Sequence, residues 1–132
     1  QEQKKSEECY AVFSQLVKAF PAHTERLKQI IRMSVTTAHF ADLSGWVGMY
    51  EGQDEKPEDL KRHVASALAV LGRFHLAMNR KDEALAAFEK AIDLSSKKAA
   101  FQTYAVEALQ KHGFTEEATR FVMDHDPAFA RT

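Results

Sequence analysis

Apolar residues recur at steps of three and four along most of this chain, and most of its prolines and glycines fall between the runs. That is the pattern of amphipathic helices joined by tight turns. The first segment, from about Lys4 to Phe20, carries Cys9, Phe13, Leu16 and Phe20 on one face, with Tyr10 and Val17 alongside, and Pro21 stops it. The second starts near Thr24 and groups Leu27, Ile30, Ile31 and Ser34. It fades at Val35, Thr36 and Thr37, which are poor helix formers. Phe40 to Tyr50 is apolar, with Gly45 and Gly48 weakening a helix there. After a polar connection from Gly52 to Lys56, Pro57 with Glu58 and Asp59 opens a helix. Its core step is kept by Leu60, Val64, Leu68, Leu71, Phe74 and Met78, and Asn79 supplies a left-handed cap. Further helices are expected from about Lys81 to Leu94 and from about Lys97 to His112, the latter capped by Gly113. Thr115, with Glu116 and Glu117 behind it, opens a short last helix to about Met123, and Pro127 closes the regular part. The reading is all-α, with six or seven helices and no strand.

Two of these helix pairs resemble one another. Asn79 and Gly113 lie 34 residues apart (113 − 79), and under that offset Glu83 meets Glu117, Ala84 meets Ala118 and Phe88 meets Val122. In the preceding helices Leu71 meets Ala105 and Phe74 meets Ala108. A turn residue, a small residue and a large apolar residue thus recur in register, as the stacking of helical hairpins requires.

The run Leu71-Gly72-x-x-His75, followed by Ala84-x-x-x-Phe88-x-x-Ala91, resembles the tetratricopeptide repeat pattern. Small residues at Gly72, Ala84 and Ala91 would let two helices approach closely, with Gly72 and Ala84 facing each other and Phe88 filling the space beneath. Leu68 stands where the family has tryptophan, His75 where it has tyrosine and Ser96 where it has the closing proline. One repeat spans about residues 65–98. The next, about residues 99–129, is looser, because Val106 replaces the small residue. Upstream, Phe13 and Pro21 have the spacing of the family's aromatic and closing proline, so the first segment fits the second helix of a degenerate repeat. A divergent repeat from about Thr24 to Glu51 and an insertion ending at Pro57 follow. The resemblance implies antiparallel helix hairpins stacked as a short right-handed solenoid. All 132 residues would form one domain: degenerate repeats in 1–56, a well-formed repeat in 57–98 and a terminal one in 99–132.

Composition narrows the function classes. A chain of 132 residues can bury a core without disulfides or metals. Its 45% hydrophobic and 28% charged residues are ordinary for a globular protein. A net charge of −1 argues against a nucleic-acid surface, which needs an excess of Lys and Arg. Cys9 is the sole cysteine, which excludes an intrachain disulfide and fits a reducing, cytoplasmic setting. No apolar run approaches the roughly 18–20 residues that span a bilayer, and residues 1–8 are not a secretory signal. Beginning at Gln1, the sequence reads as a mature piece or a part of a longer protein.

Candidate chemistry is sparse. His23, His39, His63, His75, His112 and His125 form no H-x-x-x-H or HExxH pair, so no metal or cofactor is expected. His75 reads as a packed side chain, and Asp124-His125-Asp126 as a solvated terminus rather than an acid–base cluster. No nucleophile elbow or phosphate loop occurs, and no catalytic residue is assigned. Trp46 and Tyr50 read as core, with a partner-anchoring role as the alternative, and Lys97-Lys98 reads as a solvated loop.

The family resemblance implies a ligand groove lined by the first helix of each repeat. Carried onto this chain, its positions are Lys28, Arg32, Ala69, Arg73, Leu76, Thr103, Glu107 and Gln110, with Tyr104 nearby. Arg32, Arg73 and Glu107 correspond at offsets of 41 (73 − 32) and 34 (107 − 73), the larger one reflecting the insertion ahead of Pro57. The asparagine- and lysine-rich set that clamps a C-terminal carboxylate in chaperone-binding members is not reproduced. The mixed charge suggests a peptide or amphipathic helix of another protein, held by packing and one or two ion pairs; self-association stays open. The function expected is a non-catalytic protein–protein interaction module in an assembly or regulatory system. A dedicated chaperone or regulatory subunit for one client is the second reading, and a small helical enzyme the third.

Overall fold

The computed structural model describes residues 2–125, with side chains from residue 4 onward. Asp126, Pro127 and Phe129, read above as the end of the last repeat, lie outside the described residues. Seven helices are present among the described residues, and no strand: α1 Glu2–Ala19, α2 Thr24–Thr36, α3 Phe40–Glu51, α4 Glu58–Ala77, α5 Lys81–Leu94, α6 Lys98–Lys111 and α7 Thr115–His125. The chain divides into two compact units, Gln1–Ala67 and Leu68–Thr132, so α4 gives its first half to one unit and its second half to the other. Within the units consecutive helices pack on each other, α1 on α2 and α2 on α3, then α5 on α6 and α6 on α7.

Three helices end with the same backbone device. Ala38, Asn79 and Gly113 have φ of 60°, 60° and 85°, the left-handed region. In each case the next N–H reaches back five residues: His39 to the Ser34 carbonyl (2.8 Å), Arg80 to His75 (2.7 Å) and Phe114 to Leu109 (2.8 Å). The left-handed residue itself bonds three back, to Val35, Leu76 and Gln110. This pair of bonds satisfies the orphaned carbonyls of a helix end and turns the chain sharply into the next helix. Asn79 and Gly113 suit that conformation; Ala38 carries its β-carbon into it at a cost of about 1–2 kcal/mol. Ala38 also precedes Asn79 by 41 residues (79 − 38), so the α2–α3 turn falls at the offset expected for Arg32 and Arg73.

The N-terminal unit buries Leu27, Ile30 and Ile31 of α2, Leu43, Trp46, Val47 and Tyr50 of α3, and Leu60 and Val64 of α4. From α1 it takes Tyr10 and Val17, while Leu16 and Phe20 stay exposed at 37% and 56% and Cys9 is also exposed. The expected apolar face of α1 is therefore corrected by about a quarter turn. The cause is polar. Tyr10 Oη donates to Asp42 Oδ2 (2.9 Å), accepts from Trp46 Nε1 (3.2 Å) and lies 3.1 Å from Ser34 Oγ. A phenol with three partners is buried without loss, and burial raises its pKa. Ser34 is itself fully buried, its hydroxyl donating to the Ile30 carbonyl (2.8 Å).

In the C-terminal unit Leu76, Ala84, Phe88, Ile92, Ala105, Ala108, Leu109, Ala118 and Phe121 form one core cluster. The nearest neighbours of Gly72 are ring atoms of Phe88, the residue that the sequence places in the space beneath the small residues. A β-carbon added to Gly72 would lie 2.6 Å from Cζ and 2.7 Å from Cδ1 of Phe88, so the ring occupies the space that glycine leaves on α4. Gly45 of α3 is the reverse case, since a β-carbon there meets nothing within 4 Å.

These two glycines predict opposite responses to the same substitution. Gly72→Ala forces the Phe88 ring from its seat and should destabilise the protein by about 1–3 kcal/mol. Gly45→Ala adds helix propensity in open space and should stabilise it by about 0.5–1 kcal/mol. Urea unfolding of the two variants beside wild type checks both signs.

Candidate functional site

The residues expected to line a ligand groove have different fates. Leu76 is corrected outright: it is 3% exposed and belongs to the core cluster, because the hairpin turn after α4 folds α5 over it. Ala69 is likewise buried, at 4%. Lys28 is exposed by only 14%, with its ammonium 2.6 Å from Asp59 Oδ2 and 2.8 Å from Glu25 Oε1. Arg62 also pairs with Asp59, and His63 Nδ1 is 3.8 Å from it. Lys28 therefore ties α2 to the start of α4 rather than facing a ligand. Arg32 is exposed on α2, and Thr103, Glu107 and Gln110 are exposed on α6. The Thr103 hydroxyl is turned back onto the Ala99 carbonyl (3.0 Å).

Arg73 and Tyr104 come together. The Arg73 guanidinium carbon sits 5.7 Å from the Tyr104 ring centroid, and Nη1 donates to Tyr104 Oη at 3.4 Å. The other side of this aromatic is held by the core, since Phe88 meets it edge-on with centroids 6.4 Å apart and planes at 71°. The ring is thus fixed from below and carries a cation above, an arrangement favourable both as cation–π contact and as a pre-set charge. Glu107, Ala108, Lys111 and His112 complete an open cleft of about 210 Å³ with them. Lys111 and His112 were absent from the expected set, although Lys111 follows Glu107 by one helical turn, and that spacing would have found it. The cleft falls short of the roughly 300–1,000 Å³ of small-molecule pockets and suits one or two side chains of a polypeptide.

The remaining candidates are structural. Trp46 and Tyr50 are 4% and 3% exposed, so the core reading holds and neither is available as a surface anchor. His75 Nδ1 lies 3.4 Å from Glu83 Oε2 without the alignment of a hydrogen bond. Two sequence readings are corrected here. His125 is only 16% exposed, paired with Glu89 at 2.8 Å and tilted against Phe121 at 4.4 Å, so it docks α7 instead of ending a solvated tail. Lys98 is not loop: it opens α6, and its ammonium donates to the Ile92 carbonyl at 2.8 Å, capping the negative end of α5. Among the described residues no three His, Cys, Asp or Glu side chains are grouped to hold a metal, and no helix is long and apolar enough to cross a membrane.

Comparison with known proteins places a tetratricopeptide repeat at residues 65–98, the span that the sequence pattern marks out. No curated relative and no solved structure matches the chain. A repeat of this kind suggests a protein–protein interaction module.

The Lys28–Asp59 contact predicts an acid-sensitive step. Hydrogen bonding from Lys28, then from Arg62, holds the Asp59 carboxyl down at about 2 against an ordinary 3.8. A carboxyl that binds its proton less tightly folded than unfolded stabilises the fold fully above about pH 4, and that contribution is lost as pH falls through about 2. Wild type should lose Tm across this window more steeply than Asp59→Asn, while the variant melts lower at pH 7. Parallel melting curves of the two across the window would remove Asp59 from the account.

Proposed function

We propose that the protein is a non-catalytic interaction module whose C-terminal unit binds a segment of a partner protein in the cleft between α4 and α6. The observation that carries this reading is the Arg73–Tyr104 pair, a guanidinium laid on a ring that the core holds still. A cation already ordered on an open face loses little conformational freedom when it meets a carboxylate, so its contact with a partner is made at low entropic cost. Arg73 and Lys111 offer positive charge and Glu107 negative charge within one cleft. That mix fits a helix or extended peptide held by packing with one or two ion pairs. The repeat at residues 65–98, to which Arg73 belongs, supports the same class of function.

A partner recovered from native extract and identified by mass spectrometry supplies the ligand for calorimetric titration. Arg73→Glu should weaken its binding by about 1–3 kcal/mol through lost and reversed charge pairing, with the circular dichroism spectrum unchanged. Equal affinity of the folded variant and wild type would move the site off this cleft.

A further inference from the structure

The early part of α1 hangs on one side chain. Residues 4–9 are all exposed, and the buried face of the helix begins at Tyr10. Among the described residues, the hydrogen bond that ties this stretch to another element joins His39 Nε2 to Glu7 Oε2 at 3.1 Å. His39 stands just ahead of α3, next to Ala38 in the turn from α2. Its ring lies flat on that of Tyr10, with centroids 3.8 Å apart and planes at 5°.

Counting hydrogens fixes the state of this ring. The Thr37 hydroxyl carries one hydrogen and donates it to the Met33 carbonyl at 2.6 Å, because a carbonyl only accepts. Thr37 Oγ1 also lies 2.5 Å from His39 Nδ1, so Nδ1 is the donor there. On the far side Glu7 presents a carboxylate, which again only accepts, so Nε2 donates as well. Both nitrogens therefore carry hydrogen in this arrangement, and the ring is an imidazolium. Each neighbouring helix sets a different group beside it. From α1 come the Glu7 carboxylate and the face of Tyr10, on which a cation is well placed. From α3 comes Asp42, reached through the Tyr10 hydroxyl (2.9 Å), with its N–H on the His39 carbonyl (3.2 Å). The end of α2 contributes the neutral Thr37 hydroxyl and Met33 carbonyl.

Loss of a proton leaves one hydrogen for two acceptors. Thr37 is two residues away and keeps it, so a bare Nε2 then meets the Glu7 carboxylate lone pair to lone pair. We propose that His39 is a proton-operated latch: charged, it holds residues 4–9 of α1 to the α2–α3 turn, and neutral, it releases them. The sign follows from the geometry. The contact is present at low pH and is lost as pH rises through the range, about 5 to 8, in which histidine changes charge. Tyr10 and Val17 keep the rest of α1 in place. The latch is independent of the α4–α6 cleft.

A nitroxide at position 6 reads the motion of this stretch in the whole protein. It is attached to Ser6→Cys in a Cys9→Ser parent, since Cys9 is the sole native cysteine. Between about pH 5.5 and about pH 8, the ratio of mobile to ordered signal should rise about tenfold, the effect of one lost charge-assisted hydrogen bond. Glu7→Gln should remove the step and stay ordered, because an amide donates to a bare Nε2 and accepts from a protonated one. Thr37→Val should remove it too, because a neutral ring freed from Thr37 places its single hydrogen on Nε2. His39→Phe keeps an aromatic ring on Tyr10 and should be mobile at both pH values. A parent signal that ignores pH, a step in Glu7→Gln or His39→Phe, or order retained in His39→Phe would each overturn the proposal. So would a step that survives in Thr37→Val, which would reduce the contact to an ordinary ion pair.

Discussion

Gly72 presents bare backbone to the ring of Phe88, and the C-terminal unit is organised around that approach. Any other side chain at position 72 would hold α4 and α5 apart by the width of a β-carbon. Phe88 is 1% exposed there, and its burial is worth about 1.5–3 kcal/mol as transferred apolar surface. Its edge then supports Tyr104, and Tyr104 supports Arg73. One packing contact therefore sets both the hairpin and the posture of the charged group at the surface above it. The small residues Ala84, Ala105, Ala108 and Ala118 around it are buried for the same reason: each lets a neighbouring helix close in.

The N-terminal unit is built differently. Its α1 is drawn in by a hydroxyl rather than by a run of apolar side chains, because Tyr10 is the one residue on that helix whose polar end finds three partners inside. Val12, Leu16 and Phe20 on the same helix stay exposed. The same unit draws Lys28 and Asp59 into an ion pair that joins α2 to the start of α4.

What could be read from the sequence follows from which signals are local. Helix α5 was placed to the residue, because its period is regular and turn residues lie at both ends. Asn79 and Gly113 announced their turns, since both tolerate positive φ; Ala38 makes the same turn and announces nothing. On α1 the sequence offered two stripes, and counting apolar residues chose the one with more of them. Only the partners of Tyr10, 24 to 36 residues away, decide for the other. Leu76 and Lys28 are misplaced for a related reason. Correspondence with a repeat gives a position on a helix, while burial and pairing depend on what the next helix brings. Arg73, Tyr104 and Glu107 line one cleft.

The packing of Phe88 against Gly72 can be separated from every other contribution by a double-mutant cycle with Phe88→Leu. If the ring is what a β-carbon at position 72 strikes, Gly72→Ala should lose most of its cost once the ring is gone. The two changes together would then be at least about 1 kcal/mol less destabilising than their sum. Additive losses in urea unfolding, within about 0.3 kcal/mol, would contradict the account and place the origin of the close helix approach elsewhere.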